Sequence, residues 1–438
     1  MLDSLLAEAG SSLSAEAVRR LIDGVAAAPP NHLPDDWMRL VAAEPGRALR
    51  DCLAVMRSAA LEAHDDGLRP GPVPPERLER LRAELKRRNL HGFIVPHADP
   101  QQSENLPRYA ERLMWLTGFS GSAGIAVVLA DRCALFIDGR YTLQADEQVD
   151  NEMFERRHVT DDPPVGWVAA HLDGGRLGYD PWLHTRAWVR QATTALAEKG
   201  AELVAVDTNP VDAVWPDRPA PSDARLVVHD DRFAGRSAAE KRAAMADWLT
   251  AKKADAAILS ALDSIAWTFN IRGKDVDRTP VALAYAIVNA DGTADLFVAK
   301  DKVGDDVAQH LGNAVTLRDR GEFVPALESL SGKSVAVDPD RAVAGIFHAL
   351  EMAGAKVTRA EDPAVLPKAI KTPAEQQGPR AAQARDGAAV VRFLRWISEN
   401  APSGEVDELG AAAKLREFRG LSPDLKDTSF DTISAAGG

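Results

Sequence analysis

Cysteine is nearly absent from this chain: Cys52 and Cys133 are the only two in 438 residues. They lie far apart in different segments, so neither a disulfide framework nor a paired-cysteine metal clasp is implied. Two buried thiols in a reducing cytosol are expected instead. Long apolar runs are missing too. None nears the ~20 residues that a membrane helix needs, and Met1-Leu2-Asp3-Ser4 lacks the basic and apolar regions of a signal peptide. The expected location is cytoplasmic, with no membrane association. Basic residues are in the minority, 52 Lys and Arg against 65 Asp and Glu, for a net charge of −13. That balance argues against nucleic-acid binding, which requires a basic face. Histidine stops at His348, so nothing beyond it offers an imidazole. HExxH, GxSxG and Walker patterns are absent. His97, His158, His171 and His184 are scattered without metal-ligand spacing and read as surface or satisfied histidines.

What is present is an ordinary globular composition, 45% hydrophobic and 27% charged, with length enough for about three domains of roughly 150 residues. Residues 1–75 form a helical extension, with helices expected at Ala15–Ala28, Trp37–Ala43 and Gly46–His64. Ser14 is the N-cap of the first, and Arg69–Pro75 is a stiff Pro-rich linker. Residues 76–215 read as an α/β domain. Glu76–Arg88 is a helix, Gly92–Pro96 a buried strand, and Ile125–Leu129 with Cys133–Ile137 a hairpin. Helices Tyr141–Glu147 and Arg186–Lys199 and strands Arg176–Tyr179 and Glu202–Val206 complete it.

A second Pro-rich stretch at Trp215–Pro221 opens residues 216–370, which repeat the theme. Helix Ala238–Lys252 leads to strand Ala256–Ser260 and a hairpin, Ala282–Val288 with Ala294–Val298, turning at Asp291-Gly292. Helices Val303–Gly312 and Phe323–Leu330, strand Ser334–Val337 and helix Ala344–Ala353 follow. The shared order, and an Asp-Pro after a short strand in each half (Asp180-Pro181, Asp338-Pro339), suggest an internal structural duplication. Residues 371–438 open a further segment: helices Ala374–Asn400 and Val406–Arg419, then a strand-like Thr428–Ser434.

Two places invite a chemical reading. The block Leu116–Gly124 is rich in Gly and Ser but precedes a hairpin, so it fails the context of a phosphate loop and reads as a tight turn where backbones approach closely. Asp138-Gly139-Arg140-Tyr141 leaves the hairpin and opens a helix. Asp138 suits the cap and Gly139 the bend. A guanidinium at a helix start does little for helix stability, which makes Arg140 a candidate to face a ligand. Leu262–Gly273 reads mostly as core.

Taken in order, these blocks resemble the Xaa-Pro aminopeptidase (aminopeptidase P) family of creatinase-like metallopeptidases. The resemblance runs from Glu76 to the end and rests on Gln102-Ser103-Glu104, Leu116–Gly124, Asp138–Tyr141 with Gln144-Ala145, and Leu262–Gly273 with Asp275-Val276 and Pro280-Val281. Further on come Ile370-Lys371, Glu375, Gly378, Arg380-Ala381, Arg385-Asp386 and Thr432-Ile433-Ser434. Gln383 departs from a histidine common in relatives. The resemblance implies two creatinase-type α/β domains followed by a pita-bread catalytic domain, commonly in a homodimer. It implies removal of the N-terminal residue from peptides with proline second, by two manganese ions that generate hydroxide and polarise the carbonyl.

Of the family's functional residues only Arg140 carries over, as the first-domain arginine near the substrate. The five metal ligands and the substrate-contacting histidines of the family fall beyond Gly438. The expectation is a record that ends before the active site, with residues 371–438 the start of the catalytic domain and the chain inactive alone. The alternatives are a non-catalytic protein that keeps the α/β domains for dimerisation or peptide binding, and a creatinase-type hydrolase of another substrate.

Overall fold

The structure is a computed structural model and describes residues 2–15, 17, 18, 21, 22, 38–42, 49, 53, 68, 70–172, 174–430 and 432–436. Its contacts divide the chain into two units, Met1–Leu68 and Arg69–Gly438. In the first, helices Leu2–Glu8 and Met38–Val41 and helical residues such as Val18, Ile22, Leu49 and Leu53 share one apolar cluster. Ser14 acts as the cap expected, its Oγ accepting the N–H of Ala17 at 3.2 Å. Leu2–Glu8 was not foreseen. Cys52 and most of Gly46–His64 lie outside the described residues.

The second unit holds two six-stranded sheets. Strands β1 (Gly92–Pro96), β2 (Gly124–Leu129), β3 (Cys133–Ile137), β4 (Glu155–His158), β5 (Arg176–Tyr179) and β6 (Glu202–Ala205) run in the order β4-β3-β2-β1-β5-β6. A small ribbon pairs β7 (Val227–Val228) with β9 (Ile271–Arg272). The second sheet takes β8 (Ala256–Leu259), β10 (Tyr285–Asn289), β11 (Ala294–Phe297), β12 (Val315–Arg318), β13 (Ser334–Val337) and β14 (Lys356–Arg359) in the order β12-β11-β10-β8-β13-β14. Every pairing in one sheet has a counterpart of the same sense in the other: two antiparallel contacts, then parallel ones outward on both sides. The duplication is therefore real at the level of topology.

Local chemistry agrees with it. Asp180 Oδ1 accepts the N–H of Trp182 at 2.9 Å, and Asp338 Oδ1 accepts that of Asp340 at 2.9 Å. These are Asx turns at equivalent steps after β5 and β13. The two loops meet: Thr185 and Val343, each the sixth residue after its strand, pair in an isolated antiparallel bridge. Trp182 packs against the second domain's core. Gly345 permits this, since a Cβ there would lie 2.9 Å from the indole.

Neither Pro-rich stretch hangs free. The Gly71 N–H donates to the carbonyl of Gly118 at 3.1 Å. Trp215 stacks on Trp115 with centroids 5.3 Å apart, and Arg218 reaches the Tyr109 carbonyl at 2.8 Å and Asp212 at 2.6 Å. Beyond the second domain, Thr372 closes a capping box with Glu375 and starts helix Pro373–Asn400, which packs with Glu408–Gly420. Residues 428–430 and 432–434 are not in a strand, contrary to the sequence pattern. No strand lies alongside them among the described residues, and alternation without a ladder does not hold an extended chain in a sheet.

Candidate functional site

Three segments converge at one end of the first sheet, where β1 and β3 end and β2 begins. After Ile137 the chain turns at Asp138, in extended conformation, into a 3-10 turn Gly139–Tyr141. Asp138 Oδ1 accepts the Arg140 N–H at 2.9 Å, the cap anticipated from sequence. The same carboxylate then holds the side chain: Arg140 Nε lies 3.1 Å from both oxygens and Nη2 lies 2.7 Å from Oδ2. That hydrogen bonding holds the Asp138 carboxyl below the usual carboxylate range and raises the guanidinium further. Arg140 stays 65% exposed. Asp138 occupies its Nε edge, which leaves the far end of the guanidinium open to an incoming carboxylate or carbonyl.

The Gly/Ser block supports this turn from beneath. Arg140 lies over the Tyr141 ring, 5.1 Å from its centroid. The Tyr141 hydroxyl meets the Ser122 hydroxyl at 2.7 Å, and the Phe119 and Tyr141 rings meet in a T-shaped contact with centroids 5.5 Å apart. Gly121 and Gly124 are needed because a Cβ at either would run into the Phe119 ring. Ser120 is bound by Gln144 at 2.9 Å and Gln148 at 3.0 Å. The block is thus a close-packed turn, as read from sequence, and the two motifs form one structure.

A third segment closes this end. Asp99 is buried, and its Oδ1 accepts the N–H groups of Gln101 at 3.1 Å and Ser103 at 2.8 Å. This shapes the Gln102-Ser103-Glu104 turn, and burial raises the Asp99 pKa. Glu104 adds to the electrostatic field at Arg140 after the larger contributions of Asp138 and Tyr141. The Glu104 carbonyl sits 3.4 Å from His97 Nε2, and the opposite ring nitrogen faces Glu111 at 4.0 Å. Sequence reading did not single out Glu111, which merely precedes helix Arg112–Thr117. Its signal appears only in space, where burial pushes its carboxyl up to about 7.

That value yields a test of sign. A carboxyl raised on folding stabilises only while protonated, and its contribution is lost as pH climbs from about 4 through 7. Glu111→Gln is expected to match the parent chain near pH 4 and to exceed it at pH 8 by on the order of 2 kcal/mol, measured by urea unfolding at both pH values. An equal difference at both would contradict the assignment.

The histidines do not assemble. His171 hydrogen-bonds the Trp167 carbonyl at 2.7 Å, His184 stacks on Trp188 at 3.9 Å, and His158 lies beside the Asp138–Gly139 turn. Among the described residues no group of three or more His, Cys, Asp or Glu is placed to hold a metal ion. Cys133 is buried, with Arg82 Nη2 at 3.2 Å from its sulfur.

The second domain shows a different use of this end, its exposed cation Lys300 being paired with Glu322. Its counterpart turn is Lys300–Lys302, with Ala299 and Asp301 where the first domain has Asp138 and Arg140. Lys302 turns inward and pairs with Asp275 at 2.6 Å, both side chains almost wholly buried. The open arginine belongs to the first copy alone.

Comparison with known proteins fits this picture. Two family models, both described as Creatinase/Prolidase N-terminal domain, match residues 77–214 and 217–375. A probable Xaa-Pro aminopeptidase P of Paracoccidioides brasiliensis is 36% identical over 381 residues, covering 83% of this chain and 62% of the relative. The chain carries two creatinase/prolidase N-terminal domains and is similar in sequence to Xaa-Pro aminopeptidase P. Another family relative, from Aspergillus clavatus, is 36% identical over 376 residues, covering 83% of this chain and 57% of its own length. The X-prolyl aminopeptidase of Caenorhabditis elegans, described as a cytosolic enzyme with a di-nuclear active site, superposes with a TM-score of 0.76. It is 29% identical, with 82% of this chain and 62% of that one covered. The chain thus spans about three fifths of the length of the family members it matches. No helix among its described residues is long and apolar enough to cross a membrane.

Proposed function

We propose that this chain supplies the two N-terminal α/β domains of an Xaa-Pro aminopeptidase, and that Arg140 is their contribution to peptide recognition. The observation that carries the reading is an exposed guanidinium fixed by Asp138, in a chain 36% identical to Xaa-Pro aminopeptidase P over 381 residues; the sequence resemblance assigns this position to the family's substrate-proximal arginine. The substrates are peptides with proline second, and the whole protein acts as a cytoplasmic homodimer. Asp138 orients Arg140, Tyr141 supports it from below, and the open end of the guanidinium takes a carbonyl or carboxylate of the peptide.

A manganese pair belongs to the whole-protein reading, but the described residues of this chain do not fit one. No step is routed through it, and the 438-residue chain is read as inactive by itself. The test is the purified chain incubated with manganese and an Ala-Pro-containing peptide. No alanine release is expected, whereas chelator-sensitive release overturns the inactive reading. Peptide binding by the same chain should fall about tenfold in Arg140→Ala, the loss of one charge-assisted contact. Equal binding by both proteins would remove Arg140 from recognition.

A further inference from the structure

Because the two sheets share topology and register, each strand position in one has a counterpart in the other. Through the strand pairings, Val127, Leu129 and Ala134 of the first sheet correspond to Ile287, Asn289 and Asp295 of the second. In the first domain all three are buried in an apolar cluster that includes Trp167 and Leu172, from the helix Pro164–His171 and its C-cap. In the second, an amide and a carboxylate replace Leu129 and Ala134, and the counterpart helix Phe323–Glu328 leaves a cavity of about 340 Å³. That volume falls within the roughly 300–1,000 Å³ of small-molecule sites. The same face is filled in one copy and hollow in the other.

The cavity's charges are unequal. Asp295 is paired with Arg318 at 2.7 Å and Glu322 with Lys300 at 3.2 Å. Lys333 also lines it, and its ammonium has no hydrogen bond or ion pair among the described residues. Ile287 and Leu330, both buried, present apolar surface. One positive charge without a direct ion pair, in the field of Asp291 at the hairpin turn, therefore stands beside an apolar floor.

We propose that this cavity binds a small monocarboxylate with an aliphatic body, its carboxylate against Lys333 and its alkyl part on Ile287 and Leu330. A cation would find both carboxylates already paired. A dianion would bring a second negative charge toward Asp295 and Glu322, and a neutral apolar ligand would make no use of the Lys333 ammonium. A free carboxylic acid and the C-terminus of a short peptide share this chemistry.

The test titrates the full chain with 4-methylpentanoate, N-acetylglycyl-leucine and 4-methylpentanamide, followed by ligand-observed saturation-transfer NMR. At least one acid should bind and the amide should not. Binding confined to 4-methylpentanoate points to free acids; binding confined to the dipeptide points to peptide C-termini. Lys333→Gln should weaken the bound acid at least tenfold, and Ala326→Phe, which fills the cavity, should abolish binding. Lys333 is exposed, so its variant should keep the parent's thermal midpoint. Arg140→Ala should bind the acid unchanged, which separates this site from the peptide reading. Equal binding of the amide, undiminished binding by Lys333→Gln, or no binding of either acid by the parent chain overturns the proposal.

Discussion

An Asp275→Ala chain is expected to lose about 3–5 kcal/mol of unfolding free energy, among the largest single-residue losses in the second domain. Asp275 Oδ1 receives Lys302 Nζ at 2.6 Å, and Oδ2 receives the Leu283 N–H at 2.8 Å. The Asp275 N–H donates to the Val281 carbonyl at 3.1 Å, so the side chain closes a loop that its own backbone also closes. Removing the carboxylate strands an ammonium whose side chain is 4% exposed and an amide with no acceptor. Each penalty is one of desolvation without recompense. Replacing both partners tests the cause. Asp275→Leu with Lys302→Met should lose less than the sum of the single losses by about 2 kcal/mol or more, read from urea denaturation of the four chains. Strict additivity would show that the pair is not coupled.

Gly118→Ala should cost about 3 kcal/mol and loosen the start of the first domain. Gly118 has φ +77°, a left-handed conformation that an alanine adopts at a cost, and it terminates helix Arg112–Thr117. A Cβ there would also fall inside the envelope of the Gly71 carbonyl oxygen, so the strap formed by Gly71 and Gly118 must part. Cleavage near residues 70–74 in limited proteolysis should accelerate alongside a lower thermal midpoint. A midpoint shift with unchanged cleavage would mean that helix termination, not the strap, carries the loss.

The interior of each sheet was legible in the sequence because β1, β2, β3, β5, β8, β10, β11 and β13 are mostly apolar runs closed by turns, with Arg176 in β5 and Asp295 in β11 as the charged exceptions. Strands β4, β12 and β14 were not. Glu155-Arg156-Arg157-His158, Val315–Arg318 and Lys356–Arg359 are short and charged, and all three sit at sheet edges, where charge deters pairing with another chain. A strand defended in that way hides its own signal. Arg140 was visible because a guanidinium at a helix start lacks a local purpose. Asp275 with Lys302, the buried Glu111, and the exchange of Leu129 and Ala134 for Asn289 and Asp295 were not visible. Each depends on a partner or counterpart remote in sequence.

The bridge between Thr185 and Val343 joins a position to its own counterpart. Contact of this kind is isologous, the geometry of a two-fold symmetric dimer. The second unit therefore carries, within one polypeptide, the interface that two identical protomers would otherwise make. Symmetry in a true dimer obliges every substitution to appear twice and to be tolerable on both sides. Fusion lifts that obligation. Trp182 enters the opposite core against Gly345, while the positions equivalent to these two, Asp340 and Ala187, form no such plug. The same release leaves one copy with an arginine turned outward and the other with a lysine sealed inside, so that two halves built on one plan present different chemistry.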